Sequence, residues 1–312
     1  MANLRASRAG GVDVVDDGAG RGSLWHPMRA YPGFRVLLEG TLATNSAFWM
    51  CQIANGWLAL DLTNSPLIVG VVGFLGGIPM LVLSLPAGVV IDRVDRRTIL
   101  LGAQVTVTIV SVAIATLLLF DLLQIWHLLV GAFVAGSAMS FVFPTRNTLV
   151  ANLVPTRDLA SAIALNSAGQ NAPRVVGPAL AGPLIALVGT TGTYGICAAL
   201  QVLAFVISLR LPSVKAAPRA EHQTVRASLM EGIDAILRNE FILALMILAA
   251  VPTMLVMPYA NLLPVFARDE LSIGATGLGV LMAVNGVGAV LGSLAVGMSQ
   301  RVTARRSVML WM

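Results

Sequence analysis

Charged residues are scarce in this sequence. Asp, Glu, Lys and Arg together make up 11% of the 312 residues, whereas hydrophobic residues make up 57%. A soluble domain carries about 25% charged residues, so the composition argues against a water-soluble globular protein. Disorder needs weak hydrophobicity and strong charge, and this chain has the reverse. The composition therefore predicts a protein embedded in a membrane.

Cysteine and histidine are also rare. The two cysteines, Cys51 and Cys197, lie in apolar segments far apart in sequence. This separation argues against a disulfide framework or a zinc site, and we expect both thiols to be free and buried. The sequence has no phosphate-binding glycine loop, no zinc-ligand spacing and no pattern of serine, histidine and acid. We therefore expect no enzyme activity, no cofactor and no metal.

Long apolar segments dominate the sequence instead. A spanning helix needs about 20 mostly apolar residues, and eight segments meet that need: 34–60, 66–90, 98–120, 126–151, 160–188, 192–211, 241–266 and 277–298. A ninth begins near Val308. The prediction is an all-α membrane protein with four regions: a disordered cytoplasmic tail (1–33), a six-helix bundle (34–211), a cytoplasmic linker with an amphipathic helix (212–240) and an incomplete second bundle (241–312).

Basic residues set the orientation. With the N-terminus in the cytoplasm, 18 of the 20 Lys and Arg residues fall in inside loops, Arg146 among them. Arg174 and Arg268 are the two that fall elsewhere. This is the asymmetry of the positive-inside rule. The excess of positive charge is thereby assigned to topology, and we expect no nucleic-acid partner.

The second and eighth segments resemble each other. Matching residues recur 209 positions later, and the glycines of the match are Gly70, Gly77 and Gly88 with Gly279, Gly286 and Gly297. Parallel six-helix repeats joined by a linker are a transporter architecture. On that pattern three and a half segments would be missing, so the chain is predicted to be incomplete and unable to complete a transport cycle alone.

The stretch from residue 88 to 97 reads GVVIDRVDRR. It resembles the loop 2–3 signature of the major facilitator superfamily at five positions: Gly88, Asp92, Arg93, Arg96 and Arg97. Asp95 stands where many members have Gly. The resemblance implies a cytoplasmic gate motif, in which the acid works against an eleventh helix. The alternative is a loop that only sets topology.

A second motif lies in the fifth segment. The stretch RVVGPALAG resembles an exporter signature of the same superfamily at Gly177, Pro178 and Gly182. Pro178 removes a backbone donor and is expected to bend the helix, and the glycines allow close packing. The alternative is a plain kinked helix.

Residues 34–312 as a whole resemble the enterobactin-exporter and drug-efflux branch of the superfamily. The resemblance implies proton-coupled export of siderophore-like or drug-like molecules by alternating access. It also implies a monomer in a bacterial-type inner membrane and no tightly bound cofactor. Two alternatives stay open, namely uptake by proton symport and a membrane remnant without transport activity.

Polar residues within the apolar segments are the candidate site, because such groups are costly in lipid. We expect Asn45 and Gln52 in the first segment to line a central cavity. In the fifth segment, Asn166, Gln170 and Arg174 share one helical face and are candidates for substrate contact. The alternative for that face is a hydrogen-bond ladder within the bundle.

The remaining candidates are weaker. Asn261 and Asn285 are expected on the cavity side of the second bundle. Glu39 is the candidate for proton coupling, although Arg35 lies one helical turn before it and the two could simply form a pair.

Overall fold

The structure is a computed structural model that describes residues 24–213 and 262–282, together with a few isolated residues between and beyond them. Within these ranges, four side chains are not described: Ser84, Leu85, Val89 and Asp92. The predicted tail, most of the linker with its amphipathic helix, the ninth segment and both Asn261 and Asn285 lie outside the described residues.

Every regular element in the described residues is helical, as expected. A short α1 (His26–Ala30) precedes five long helices: α2 (Pro32–Thr63), α3 (Pro66–Arg93), α4 (Arg96–Leu119), α5 (Ile125–Leu153) and α6 (Leu159–Ser208). The first four of these match the first four apolar segments to within three residues at each end. In the second half, a π-helical turn spans Phe266–Glu270, and a further helix begins at residue 274.

Helix α6 contains both the fifth and the sixth predicted segments. Its helical geometry is interrupted at Gly189, where φ is 72° and ψ is 177°. Only glycine adopts this backbone conformation without steric cost. The predicted turn at GTTG is therefore confirmed, and it is made with Gly189 as the point where one helix ends and the next begins.

The ends of the helices follow from local chemistry. Proline lies in the first turn of both α2 and α3, where its missing N–H leaves no unpaired donor. Helix α2 ends at Asn64 in the left-handed conformation, which asparagine tolerates. Helix α4 begins at Asp95, whose carboxylate accepts a hydrogen bond from the backbone N–H of Arg97 at 2.9 Å. These residues fix where each helix begins or ends.

Helix α2 differs in polarity from the helices around it. Four helical stretches in the described residues are long and apolar enough to cross a membrane, and they lie in α3, α4, α5 and α6. Helix α2 is not among them because it carries polar residues such as Thr41, Thr44 and Asn45, all of them buried. It packs mainly on α6 and also contacts α3 and α5. Burial among other helices lets this segment be polar.

The apolar core consists of three clusters. One surrounds Phe34 and Leu37 of α2 with residues of α4, α5 and α6, and another surrounds Leu58 and Leu60 near the far end of α2. The third joins α2 and α6 to the 262–282 segment through Ala267, Leu278 and Met282. Outward-facing residues such as Leu67 and Leu187 are large, apolar and exposed, as expected of surfaces that face lipid.

Candidate functional site

Arg96 and Arg97, at the start of α4, bind the ends of other helices within the first half of the chain. Arg96 donates from Nη1 to the side-chain oxygen of Asn152, near the end of α5. Arg97 donates from Nη2 to the carbonyl oxygen of Leu209 at 2.8 Å, just after α6. Cations near a helix C-terminus satisfy its free carbonyls. The loop therefore ties together the ends of three helices.

Asp95 occupies the position where the superfamily pattern often has glycine. Besides beginning α4, its carboxylate accepts a hydrogen bond from Ser213 Oγ at 2.8 Å. Ser213 lies at the start of the predicted linker (212–240). The acid thus connects the signature loop to the segment that leads to the second half.

Gly88, Asp92 and Arg93 are the other residues of the predicted gate motif. A Cβ added to Gly88 would meet no atom within 4 Å, so the described residues bring no helix close to it. The side chain of Asp92 is among those not described, and Arg93 is exposed. The role of these residues in a cytoplasmic gate stays a prediction.

The motif in the first part of α6 lies between α2 and the second half. A Cβ added to Gly177 would lie 2.9 Å from Trp49 Cβ of α2. A Cβ added to Gly182 would lie 2.4 Å from the Cα of Gly279. These distances leave no room for a side chain. Glycine is therefore required at both positions, and the backbone geometry stays helical at Pro178.

An ion pair joins the same two parts of the molecule. Asp61 Oδ1, near the end of α2, lies 3.2 Å from Arg268 Nη1 in the π-helical turn. Sequence reasoning missed this pair. The fact that Arg268 is one of two basic residues away from the inside loops was the available signal.

The polar face of the fifth segment meets α5. Asn166 and Gln170 both donate to the side-chain oxygen of Asn147, at 3.1 Å and 2.7 Å. Arg174 lies farther along the same face, with its guanidinium 5.3 Å from the ring centre of Trp49, a cation–π arrangement. The predicted face is brought together, and Asn147 is a member that sequence reasoning missed.

The candidate site residues of α2 do not share one common surface. Asn45 is buried and donates its amide to the carbonyl oxygen of Thr41 at 2.8 Å. Gln52 lines a cavity between helices, together with Asn55. Glu39 and Arg35 form an exposed pair, with Nε and Oε1 3.0 Å apart. The pairing alternative for Glu39 is thus present in the structure, and its role in proton coupling stays a prediction.

Arg146 is the functional candidate that the sequence analysis missed. Its assignment to an inside loop is wrong, because it lies within α5 and is fully buried. Nη1 donates to the Leu37 carbonyl at 3.2 Å and to Thr41 Oγ1 at 3.1 Å. Nη2 donates to Thr44 Oγ1 at 2.8 Å. Neutral oxygens of α2 therefore solvate this cation, and no acid of the described residues forms a salt bridge with it.

The network around Arg146 extends to two more helices. Gln104 of α4 accepts from Arg146 Nη2 at 3.4 Å and donates to Gln201 Oε1 of α6 at 2.8 Å. The residues of this network belong to α2, α4, α5 and α6, so four helices share one buried polar cluster. A hydrogen-bonded cluster of this kind fixes the mutual positions of the helices.

Comparison with known proteins identifies the family of this chain. Residues 22–310 match the family described as "Transmembrane secretion effector", a group of the major facilitator superfamily. The chain is 23% identical over 224 residues to Macrolide efflux protein A of Streptococcus pyogenes, which covers 70% of this chain and 54% of that protein. It is 24% identical over 278 residues to the Enterobactin exporter EntS of Shigella boydii, which covers 86% of this chain and 64% of that protein.

Solved structures agree on the fold. The crystal structure of a POT family transporter in complex with a thioalcohol-conjugated peptide superimposes with a TM-score of 0.53 and 16% identity. The match covers 78% of this chain and 52% of that one. The chain thus spans from about half to two thirds of the length of these proteins. At this identity the likeness establishes a shared helical fold.

Proposed function

Because the chain belongs to the transmembrane secretion effector family of major facilitator transporters, we propose that it serves proton-coupled export of small molecules by alternating access. The family consists of transporters and not of enzymes, and the chain is a multi-pass membrane protein. Export is favoured over uptake because the relatives named above are an efflux protein and an exporter. We place the protein in a bacterial-type inner membrane with its N-terminus in the cytoplasm.

The observation that carries the proposal is a contact between the two halves near the Asp61 end of α2. Residues 262–282 meet α2 and α6 through the Asp61–Arg268 ion pair and the Gly182–Gly279 approach. With a cytoplasmic N-terminus, the Asp61 end of α2 faces the outside. This arrangement supports a state that is closed on the outside, as one of the two states that alternating access requires.

The candidate substrate surface is the face that carries Gln170 and Arg174. An arginine above a tryptophan ring can bind anionic or aromatic groups of a substrate. We expect Arg174→Ala to change transport of the probe more than membrane insertion of the protein. If the variant lowers only the amount of inserted protein, this face is the ladder that holds α5 and α6 together.

The direction and the coupling are tested in inverted membrane vesicles that contain this chain. The probe is a radiolabelled macrolide, chosen because one relative is a macrolide efflux protein. Export by proton antiport predicts that acidifying the vesicle lumen drives accumulation and that a protonophore abolishes it. Accumulation driven by the opposite gradient would indicate uptake by symport. Accumulation would overturn the prediction that this chain cannot complete a transport cycle alone. Inserted protein without any accumulation would contradict the proposal and favour the transport-inactive alternative.

A further inference from the structure

A cavity lies inside the first bundle, apart from the contacts between the two halves. Its volume is about 190 Å³, and its walls come from α2, α3, α4, α5 and α6. Its polar lining consists of amide and hydroxyl side chains: Gln52, Asn55, Ser111, Tyr194 and Gln201. No charged side chain of the described residues lines it. An ion would therefore find no counter-charge there, which favours a neutral occupant.

Two buried polar atoms at this cavity have no hydrogen-bond partner within the described part of the protein. They are the hydroxyl oxygen of Tyr194 and the side-chain oxygen of Asn55. Tyr194 is only 1% exposed. An unsatisfied buried polar group costs about 1–3 kcal/mol. The two groups offer a donor and an acceptor, and both residues line the same cavity.

The rest of the cavity wall is formed by apolar side chains and by glycines, which have no side chain. Val72, Val110 and Ile114 supply apolar surface, and Gly76 and Gly77 leave space where side chains would otherwise lie. A Cβ added to Gly77 would meet no atom within 4 Å. An apolar cavity of about 150 Å³ is enough to bind benzene. The present cavity therefore accommodates a ring-sized molecule together with one polar group.

We propose that this cavity is a binding site for one small, neutral, amphipathic molecule with an apolar body and a hydroxyl or amide group. Tyr194 donates its O–H to the oxygen of the ligand, and Asn55 Oδ1 accepts the ligand's hydrogen. The apolar body lies against the valines and Ile114. All five long helices of the first half line the site, so its occupant contacts each of them. The inference does not rest on the proposed transport activity.

The test uses the purified chain in lipid nanodiscs with 4-fluorobenzyl alcohol as the probe and fluorine NMR as the readout. Empty nanodiscs report partition of the probe into lipid. We expect saturable binding to one site in the wild-type protein. Gly77→Leu adds a large side chain at the cavity wall and should abolish the saturable signal. The matched control is Gly70→Leu in the same helix, because a Cβ there also meets no atom within 4 Å and Gly70 does not line the cavity.

A second variant tests the hydrogen bond. Tyr194→Phe should weaken binding about tenfold, the effect of one hydrogen bond, and 4-fluorotoluene should bind the wild-type protein about tenfold more weakly than the alcohol. Helical circular dichroism of each variant checks its folding. Saturable binding that survives in Gly77→Leu, or equal binding of alcohol and toluene, overturns the proposal. Absence of saturable binding in the wild-type protein overturns it too and assigns the cavity to water.

Discussion

The two ends of the bundle are held by different kinds of contact. At the end that carries the α3–α4 loop, Arg96 and Arg97 bind groups of the first half itself, and Asp95 binds Ser213 at the start of the predicted linker. At the opposite end, Asp61 binds Arg268 of the second half. Contacts within one half can persist through a rigid-body movement, whereas contacts between halves must break if the halves separate. Such a movement would keep the described contacts at the first end and would break the Asp61–Arg268 pair.

The largest effect is expected from the buried network within the first half. Arg146→Met removes the donor that Leu37 O, Thr41 Oγ1 and Thr44 Oγ1 share, at a cost of about 1–3 kcal/mol. Thermal unfolding in detergent measures the loss. Arg157→Met is the control, because Arg157 is largely exposed and should change little. Equal stability of the two variants would mean that apolar packing replaces the network.

The next effect concerns the closest approach between the halves. Gly182→Leu places side-chain atoms where the backbone of Gly279 lies, and overpacking costs about 1–3 kcal/mol. We expect a lower unfolding temperature and easier labelling of Leu278→Cys, at a buried position next to the contact, in a cysteine-free background. Gly195→Leu, in the part of α6 that follows Gly189, is the control, since its added Cβ meets no atom within 4 Å. Unchanged labelling would show that the two helices do not rely on this contact.

The ion pair between the halves should affect access more than stability. The Asp61 and Arg268 side chains are both partly exposed, and such pairs contribute about 0–1 kcal/mol. We expect Asp61→Asn to leave the unfolding temperature nearly unchanged and to raise labelling of a nearby cysteine by an impermeant maleimide. The charge-swapped double variant, Asp61→Arg with Arg268→Asp, should restore protection. If the double variant labels like the single one, the pair does not hold the two halves.

The smallest effect is expected from Asp158, in the loop between α5 and α6. The Tyr31 hydroxyl donates to its carboxylate at 2.7 Å, and this hydrogen bond, helped by the charges of His26 and Arg157, lowers the pKa of Asp158. A carboxyl with a lowered pKa in the folded state stabilises the protein above its ordinary pKa and loses this contribution as pH falls further. Stability should therefore be flat from pH 7 to about pH 4 in this respect.

Below that pH, the wild-type protein should lose slightly more stability than Tyr31→Phe, which lacks the hydrogen bond. Thermal unfolding at a series of pH values measures the difference. Parallel curves for the two proteins would show that Tyr31 does not stabilise the charged carboxylate.

The helices of the first half could be predicted from the sequence, because lipid demands long apolar segments and the breaks carry turn residues. The interruption at Gly189 falls where GTTG predicted a turn. The family and the fold class could also be predicted, because residues 88–97 resemble a known signature of the superfamily. Local chemistry and solvent determine these features.

The contacts between distant residues could not be predicted. Arg146 lies a few residues before a loop in sequence, so its charge suggested the surface, yet the packing of four helices buries it. Asp61 and Arg268 are separated by 207 positions, and only the fold brings them together. The cavity at Tyr194 is a space left by packing, and a sequence has no local pattern for empty space.

The hydrogen bond between Ser213 and Asp95 couples the signature loop to movements of the second half. The chain that follows Ser213 leads to the second half, so any pull on that tether acts first on the residue that begins α4. The next two residues, Arg96 and Arg97, form hydrogen bonds with the C-terminal ends of α5 and α6. Force from the second half would therefore act on the first half at Asp95 and would be transmitted through Arg96 and Arg97 to the ends of α5 and α6.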